Sequence, residues 1–254
     1  MADLLSTTTF VLKHVIETRT LPDVDLIKLL ISQTLGYAIL AGACITKLPQ
    51  ILFIQQAGSA EGLSKEMFEI ETYTLLVSAL HGYTRQLPFN TYGESLILAM
   101  QNLVILGLVY SYSRTPALRR LAVWGAYVAL AVGVVTGNIP NGTVEVFAHT
   151  NTGVLIFSRF PQVVKNFTGR STGTLSGITA AINVLGCVVR IFTTLQAGGG
   201  PVMLRNYAVS LIINAMLLLQ IIAYRKNTAA QLKAARDKAQ AQRKRGSGES
   251  RKDK

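Results

Sequence analysis

Six side chains able to bind a polar ligand interrupt otherwise apolar stretches of the chain: Glu71, Glu94, Asn102, Asn183, Arg190 and Asn214. Polar groups are costly in hydrocarbon, so within membrane spans they usually face the bundle interior or a water-filled cavity. Their chemistry is binding rather than catalysis. The amides can hydrogen-bond hydroxyl groups, and a buried carboxyl must either find a basic partner or hold a proton. The planar fork of Arg190 can pair with Glu94 or Glu145, or contact a phosphate. The competing reading of Glu71, Asn102, Asn183 and Asn214 is helix-to-helix hydrogen bonding without a ligand, and that of Arg190 is a structural ion pair. His81 and His149 are either proton-exchange groups or core histidines. No nucleophile–base pair, phosphate-cradling glycine loop or metal-ligand spacing accompanies them, so neither an enzyme, a metal site nor a cofactor is expected. Cys44 and Cys187 lie in apolar runs and read as packing residues.

The elements that hold these groups follow from composition. Half of the residues are hydrophobic and only 15% charged, with mean hydropathy +0.36, too apolar for a soluble domain, in which about a quarter of residues carry charge. A crossing needs about 20 apolar residues, and seven such stretches are predicted: 26–48, 66–84, 93–112, 117–137, 143–164, 174–195 and 202–224. The second contains Glu69, Glu71 and His81 and the fifth Glu145 and His149, so both are expected to be interior helices. Glu69 reads as interfacial, on the face opposite Glu71. Residues 1–25 form an N-terminal segment without a basic start, an apolar core and a cleavage site, so the first span is expected to do the targeting.

An internal repeat orders these spans. Lys47-Leu48-Pro49-Gln50 returns as Arg159-Phe160-Pro161-Gln162, 112 residues on (161 − 49), and Ser59, Leu63 and Ser64 fall on Ser171, Leu175 and Ser176 without a gap. The chain thus divides into a first three-helix repeat (26–115), a connector helix (116–140), a second repeat (141–226) and a basic tail (227–254). The fold class is an all-α membrane protein, seven transmembrane helices arranged as two parallel three-helix repeats. The offset sets Glu71 opposite Asn183 and Asn102 opposite Asn214. Proline deprives a helix of one hydrogen bond and bends it, so Pro49 and Pro161 are expected to act as paired hinges, with Gln50 and Gln162 satisfying the carbonyls they release.

The net charge of +12 is topological information, not a nucleic-acid surface, because eleven of 25 Lys and Arg lie at or beyond Arg225. Lys47, Lys65, Arg114, Arg119, Arg120, Arg159, Lys165 and Arg170 fall on the side of that tail. An excess of Lys and Arg marks the cytoplasmic side, so the C-terminus is expected in the cytoplasm.

Leu48-Pro49-Gln50, Ser59 to Ser64, Pro88-Phe89 with Gly93-Glu94, Thr172-Gly173 with Leu175-Ser176, and Arg190-Ile191-Phe192-Thr193 resemble the PQ-loop family over roughly residues 26–224. The resemblance implies seven helices. The members it resembles most are endoplasmic-reticulum proteins needed for lumenal use of dolichyl-phosphate mannose and glucose, which implies dolichyl-phosphate sugars, membrane lipids and lumenal glycosyltransferases as partners. Glu71, Glu94, Arg190 and Asn214 fall where the resemblance expects Glu, Glu, Arg and Asn. Relatives that export lysosomal amino acids are similar in carrying an Asp where this chain has Asn183, which argues against a proton-coupled exporter. Arg251-Lys252-Asp253-Lys254 resembles a cytoplasmic dibasic retrieval signal. The expected activity is flipping or presenting a lipid-linked sugar; the alternatives are proton-coupled transport of a small solute and a non-transporting chaperone of glycosyltransferases.

Overall fold

The computed structural model describes Thr9 and residues 23–60, 63–113, 115–172 and 175–249, with side chains as far as Gln231. Most of the N-terminal segment and the Arg251–Lys254 signal lie outside these residues. From Val24 onward the described chain is helical, without strands: α1 (Val24–Thr46), α2 (Leu48–Ala57), α3 (Lys65–Thr84), α4 (Phe89–Tyr112), α5 (Ala117–Val135), α6 (Asn141–Gly169), α7 (Gly177–Gln196) and α8 (Gly200–Glu249). Helix α1 occupies the first predicted span and α2 extends it beyond the predicted end, so that with the pair taken as one body seven helical bodies result. Five are long and apolar enough to cross a membrane: Val24–Ala57, Phe89–Tyr112, Ala117–Val135, Gly177–Gln196 and Gly200–Gln231.

The other two, α3 and α6, are the pair whose charges predicted interior positions. The prediction holds along α3, which buries Phe68, Thr72, Val77, Ala79, Leu80 and His81. Its carboxylates are neutralised from neighbouring helices: Glu66 and Glu69 by Arg119, at 3.2 and 2.8 Å, and Glu71 by Lys47. Glu69 also accepts from Tyr110 Oη at 2.5 Å. For α6 the prediction holds mainly in its first half, where Val144, Ala148, Asn151 and Thr152 are buried, and farther along at Val163 and Asn166. In the second half Phe157 is 83% exposed and Phe160 and Phe167 are also exposed. Such apolar exposure suits lipid, and α5 shows it too, with Leu118 and Leu121 exposed and only Val134 buried.

Two compact units result: Met1–Val154 with Val189–Tyr207, and Leu155–Val188 with Ala208–Lys254. In the first, Ile54, Phe68, Ile105, Leu106, Val109 and Tyr110 form one core, and Val77, Ala148 and Val202 tie α3 to α6 and α8. Helices α3 and α4 approach so closely that a Cβ on Gly82 would lie 2.4 Å from Tyr92 Cβ, leaving room for glycine alone. In the second unit Val163, Ile213 and Leu217 pack α6 against α8.

The repeat is visible in backbone geometry at the 112-residue offset. Gly58 and Arg170 both end their helices in the left-handed region, at φ 58° and 44°, and their N–H groups donate to Gln55 O and Phe167 O. Leu63 N–H donates to Ala60 O at 3.1 Å and Leu175 N–H to Thr172 O at 3.2 Å. The recurrent serines are helix N-caps, Ser64 Oγ accepting from Met67 N at 3.2 Å and Ser176 Oγ from Thr179 N at 3.3 Å. The helices that follow also end alike: Leu87 N–H reaches Gly82 O and Gly199 N–H reaches Thr194 O, with Gln86 and Gly198 left-handed between them.

At the two Pro-Gln sequences the geometry differs. Lys47 breaks α1 from α2 and Pro49 opens the new helix, where its missing N–H costs little. Pro161 instead lies inside a continuous α6. Pro49 therefore begins a helix and does not bend one.

Candidate functional site

At the break, side chains replace the lost helical hydrogen bonds. Gln101 of α4 accepts from Lys47 N at 3.2 Å and donates to Ala43 O and Cys44 O, at 3.0 and 2.7 Å. Gln101, not Gln50, thus satisfies the end of α1. Lys47, counted above among the charges on the side of the tail, turns its side chain inward, 11% exposed. Its ammonium lies 2.7 Å from Glu71 Oε1, donates to Asn102 Oδ1 at 2.7 Å and stands 5.8 Å from the Phe68 ring centroid. Asn102 is wholly buried, and its amide donates to Phe68 O and Thr72 Oγ1, at 3.1 and 2.8 Å. Glu71 and Asn102 therefore belong to one charge-paired cluster.

Glu94 and Arg190 are also brought together, as an ion pair in which Arg190 is 5% exposed and donates further to Thr91 O at 3.4 Å. Of the two carboxylates considered for Arg190, Glu94 is the partner. Glu94 lines a cavity of about 200 Å³ in the first unit, with Leu75, Ser78 and His81 of α3, Ser95 and Leu98 of α4, Ala148 of α6, and Met203, Asn206 and Tyr207 of α8. The 112-residue offset relates Glu94 to Asn206, Ser95 to Tyr207 and Ser78 to Arg190. Corresponding positions of the two repeats thus build the cavity wall. Around it, Asn151 donates to Ser78 Oγ at 3.0 Å, Thr152 hydrogen-bonds Asn206, and Arg205 Nε donates to Thr152 Oγ1 at 3.2 Å.

The second unit holds the remaining candidates apart. Asn214 donates to Ser210 O of its own helix at 2.8 Å and Asn183 is exposed. Gln162 donates to Asn166 Oδ1 at 3.2 Å, so it does not serve the carbonyl that Pro161 releases. Arg159, the counterpart of Lys47, is exposed. Sequence reasoning missed Gln101, the inward Lys47, Asn206 and Tyr207. The repeat register carried a signal for the last two, since both fall on first-repeat polar residues. Gln101 offered only its place beside Asn102.

Duplicated apolar helices, five of them among the described residues long enough to cross a membrane, with a cavity in the first unit, define a multi-pass membrane protein of transporter type. Residues 31–91 and 144–202 each match the model of the PQ loop repeat, so the chain carries two copies of that repeat. It is similar to solute carrier family 66 member 3 from Homo sapiens, 26% identical over 191 residues that cover 73% of this chain and 90% of that protein.

Proposed function

We propose that the cavity receives the sugar of dolichyl-phosphate mannose or glucose as the lipid passes from the cytoplasmic to the lumenal leaflet of the endoplasmic-reticulum membrane. The observation that carries this reading is the cavity wall built by matching positions of the two repeats, Glu94 with Asn206 and Ser95 with Tyr207. A pathway along a repeat axis is how alternating access is organised in duplicated carriers. Unpaired polar groups in hydrocarbon cost several kcal/mol each, and a polar cavity lowers that barrier. The isoprenoid remains in lipid, against the exposed apolar faces of α5 and α6. The choice of lipid rests on the resemblance of Ser59 to Ser64, Gly93-Glu94 and Arg190–Thr193 to the mannose-P-dolichol utilization defect protein. The second reading, transport of a small solute, is favoured by the likeness to a solute carrier.

Reconstitution of the purified chain with a short-chain dolichyl-phosphate mannose and a leaflet-specific readout tests the proposal. Faster appearance of the lipid in the opposite leaflet is expected. Binding without a change of leaflet would leave only presentation, to lumenal glycosyltransferases, and uptake of a soluble solute alone would support the second reading. The orientation proposed, with the C-terminus cytoplasmic, expects a glycosylation sequon in a lengthened α5–α6 loop to be modified and one placed beside Asn166 to stay bare. The reverse pattern inverts the topology.

A further inference from the structure

The wall of this cavity also specifies what kind of group it takes, an inference that rests on the reading above. We propose that it accepts an uncharged, hydroxyl-rich group, and that His81 reads one of that group's hydroxyls. The first observation is charge. Glu94 is the carboxylate at the wall, and Arg190 already neutralises it while donating also to Thr91 O. An anion entering here would face the Glu94 carboxylate and would have to detach a buried guanidinium from two acceptors to gain a counter-charge. A cation would compete with Arg190 for a carboxylate already held. Breaking one side of a buried ion pair is the costliest way to make room for a ligand. A phosphate or a zwitterion is therefore disfavoured, and the phosphate of a lipid-linked sugar would stay outside while the sugar enters.

The second observation is His81 itself. It lines the cavity, is 2% exposed, and its Nε2 is buried without a hydrogen-bond partner. Buried polar atoms are nearly always paired, by protein, water or ligand. A hydroxyl both donates and accepts, so it matches Nε2 in either neutral tautomer. Ser78 stands three residues before His81, on the same face of α3, and Ser95, Asn206 and Tyr207 offer further neutral groups from α4 and α8. Leu75, Leu98, Ala148 and Met203 complete the wall with apolar surface. A pyranose ring has this double character, with C–H faces and a hydroxyl edge.

Ligand-observed saturation-transfer NMR on the purified full chain in detergent tests the inference with methyl α-mannopyranoside, inorganic phosphate and glycine, alongside binding of short-chain dolichyl-phosphate mannose. The pyranoside is expected to bind, phosphate and glycine to leave it undisplaced, and His81→Phe to weaken it about fivefold, the loss of one neutral hydrogen bond. His81→Gln, which keeps a donor and an acceptor, should retain most of the affinity, with thermal melting reporting the fold of both variants. Displacement by phosphate would overturn the charge argument, and unchanged affinity in a folded His81→Phe, or affinity reduced to background in a folded His81→Gln, would overturn the role of His81. Were the lipid-linked sugar to bind equally well to wild type and His81→Phe, without pyranoside binding, this inference would fall and the proposed function stand. Pyranoside binding that depends on His81, with no binding of the lipid, would have the opposite meaning.

Discussion

The segments that begin at Lys47-Leu48-Pro49-Gln50 and at Arg159-Phe160-Pro161-Gln162 share the geometry of the turns that follow them, down to the left-handed residue and the serine cap, yet only the first is chemically furnished. In the first unit Gln101 and Lys47 build a break and fill it with an ion pair. At the matching position in the second unit stands Ile213, buried with Val163 and Leu217, which offers the backbone nothing. There α6 remains continuous across Pro161. Duplication has therefore kept the parts that set helix ends and direction, and let the buried polar content diverge. A proline followed by glutamine does not by itself make a hinge; a hydrogen-bonding side chain on the helix alongside decides whether the chain breaks.

Removing the furnishings should hurt one repeat and spare the other. Asn102→Leu is predicted to have the largest effect, a loss of about 2–4 kcal/mol in thermal or denaturant unfolding, because it leaves the Lys47 ammonium and Thr72 without their buried partner. Asn214→Leu, at the matching position, should cost under about 1 kcal/mol, since that amide bonds its own helix. Equal losses would show that the two asparagines do the same work. Next comes proline. Pro161→Ala removes an interior helix breaker and should stabilise by about 1–3 kcal/mol, whereas Pro49→Ala, at a helix start, should change melting little. A larger effect at Pro49 would mean that the break depends on the proline ring and not on Gln101.

The Lys47–Glu71 pair can be measured by a double-mutant cycle with Lys47→Met and Glu71→Gln. Glu71 is more than a third exposed, so solvent screens the pair and the coupling should be about 1 kcal/mol. Arg159→Met combined with Asn183→Leu is expected to show no coupling. Smallest is Gln86→Gly, predicted to stabilise by about 0.5–1 kcal/mol because the wild-type glutamine occupies the left-handed region at φ 53°. The second repeat already has Gly198 at that place, so Gly198→Gln should destabilise by a similar amount.

Much of the scaffold was legible because it rests on local rules. The apolar runs placed the starts of seven helical bodies to within four residues, although the last helix runs on to Glu249, and Ser64 and Ser176 stood where N-caps belong. The charges of α3 signalled burial correctly, since each carboxylate there needed a partner on another helix. The same reasoning failed for the second half of α6, where Arg159 and Lys165 left one helix both polar in composition and widely exposed. Of the candidate residues, Glu71 with Asn102 and Glu94 with Arg190 were recognisable as groups needing partners. Their actual pairing was not, because contacts between residues such as 47 and 102 depend on helix packing that neither propensity nor spacing encodes. The inward turn of Lys47 in particular had no local sign, since nothing nearby in sequence distinguishes a lysine that ends a helix from one that turns beneath it.

Gln101 holds the α1–α2 break with three hydrogen bonds to backbone atoms of Ala43, Cys44 and Lys47. Making the first span one continuous helix requires all three to be released together. At about 1 kcal/mol each, the continuous conformer would be populated at roughly one molecule in a hundred or fewer. The broken state is thus a latched one, and a single amide on a neighbouring helix sets how often the latch opens. A ligand that favoured the continuous form would need more than a hundredfold preference for it before the population shifted.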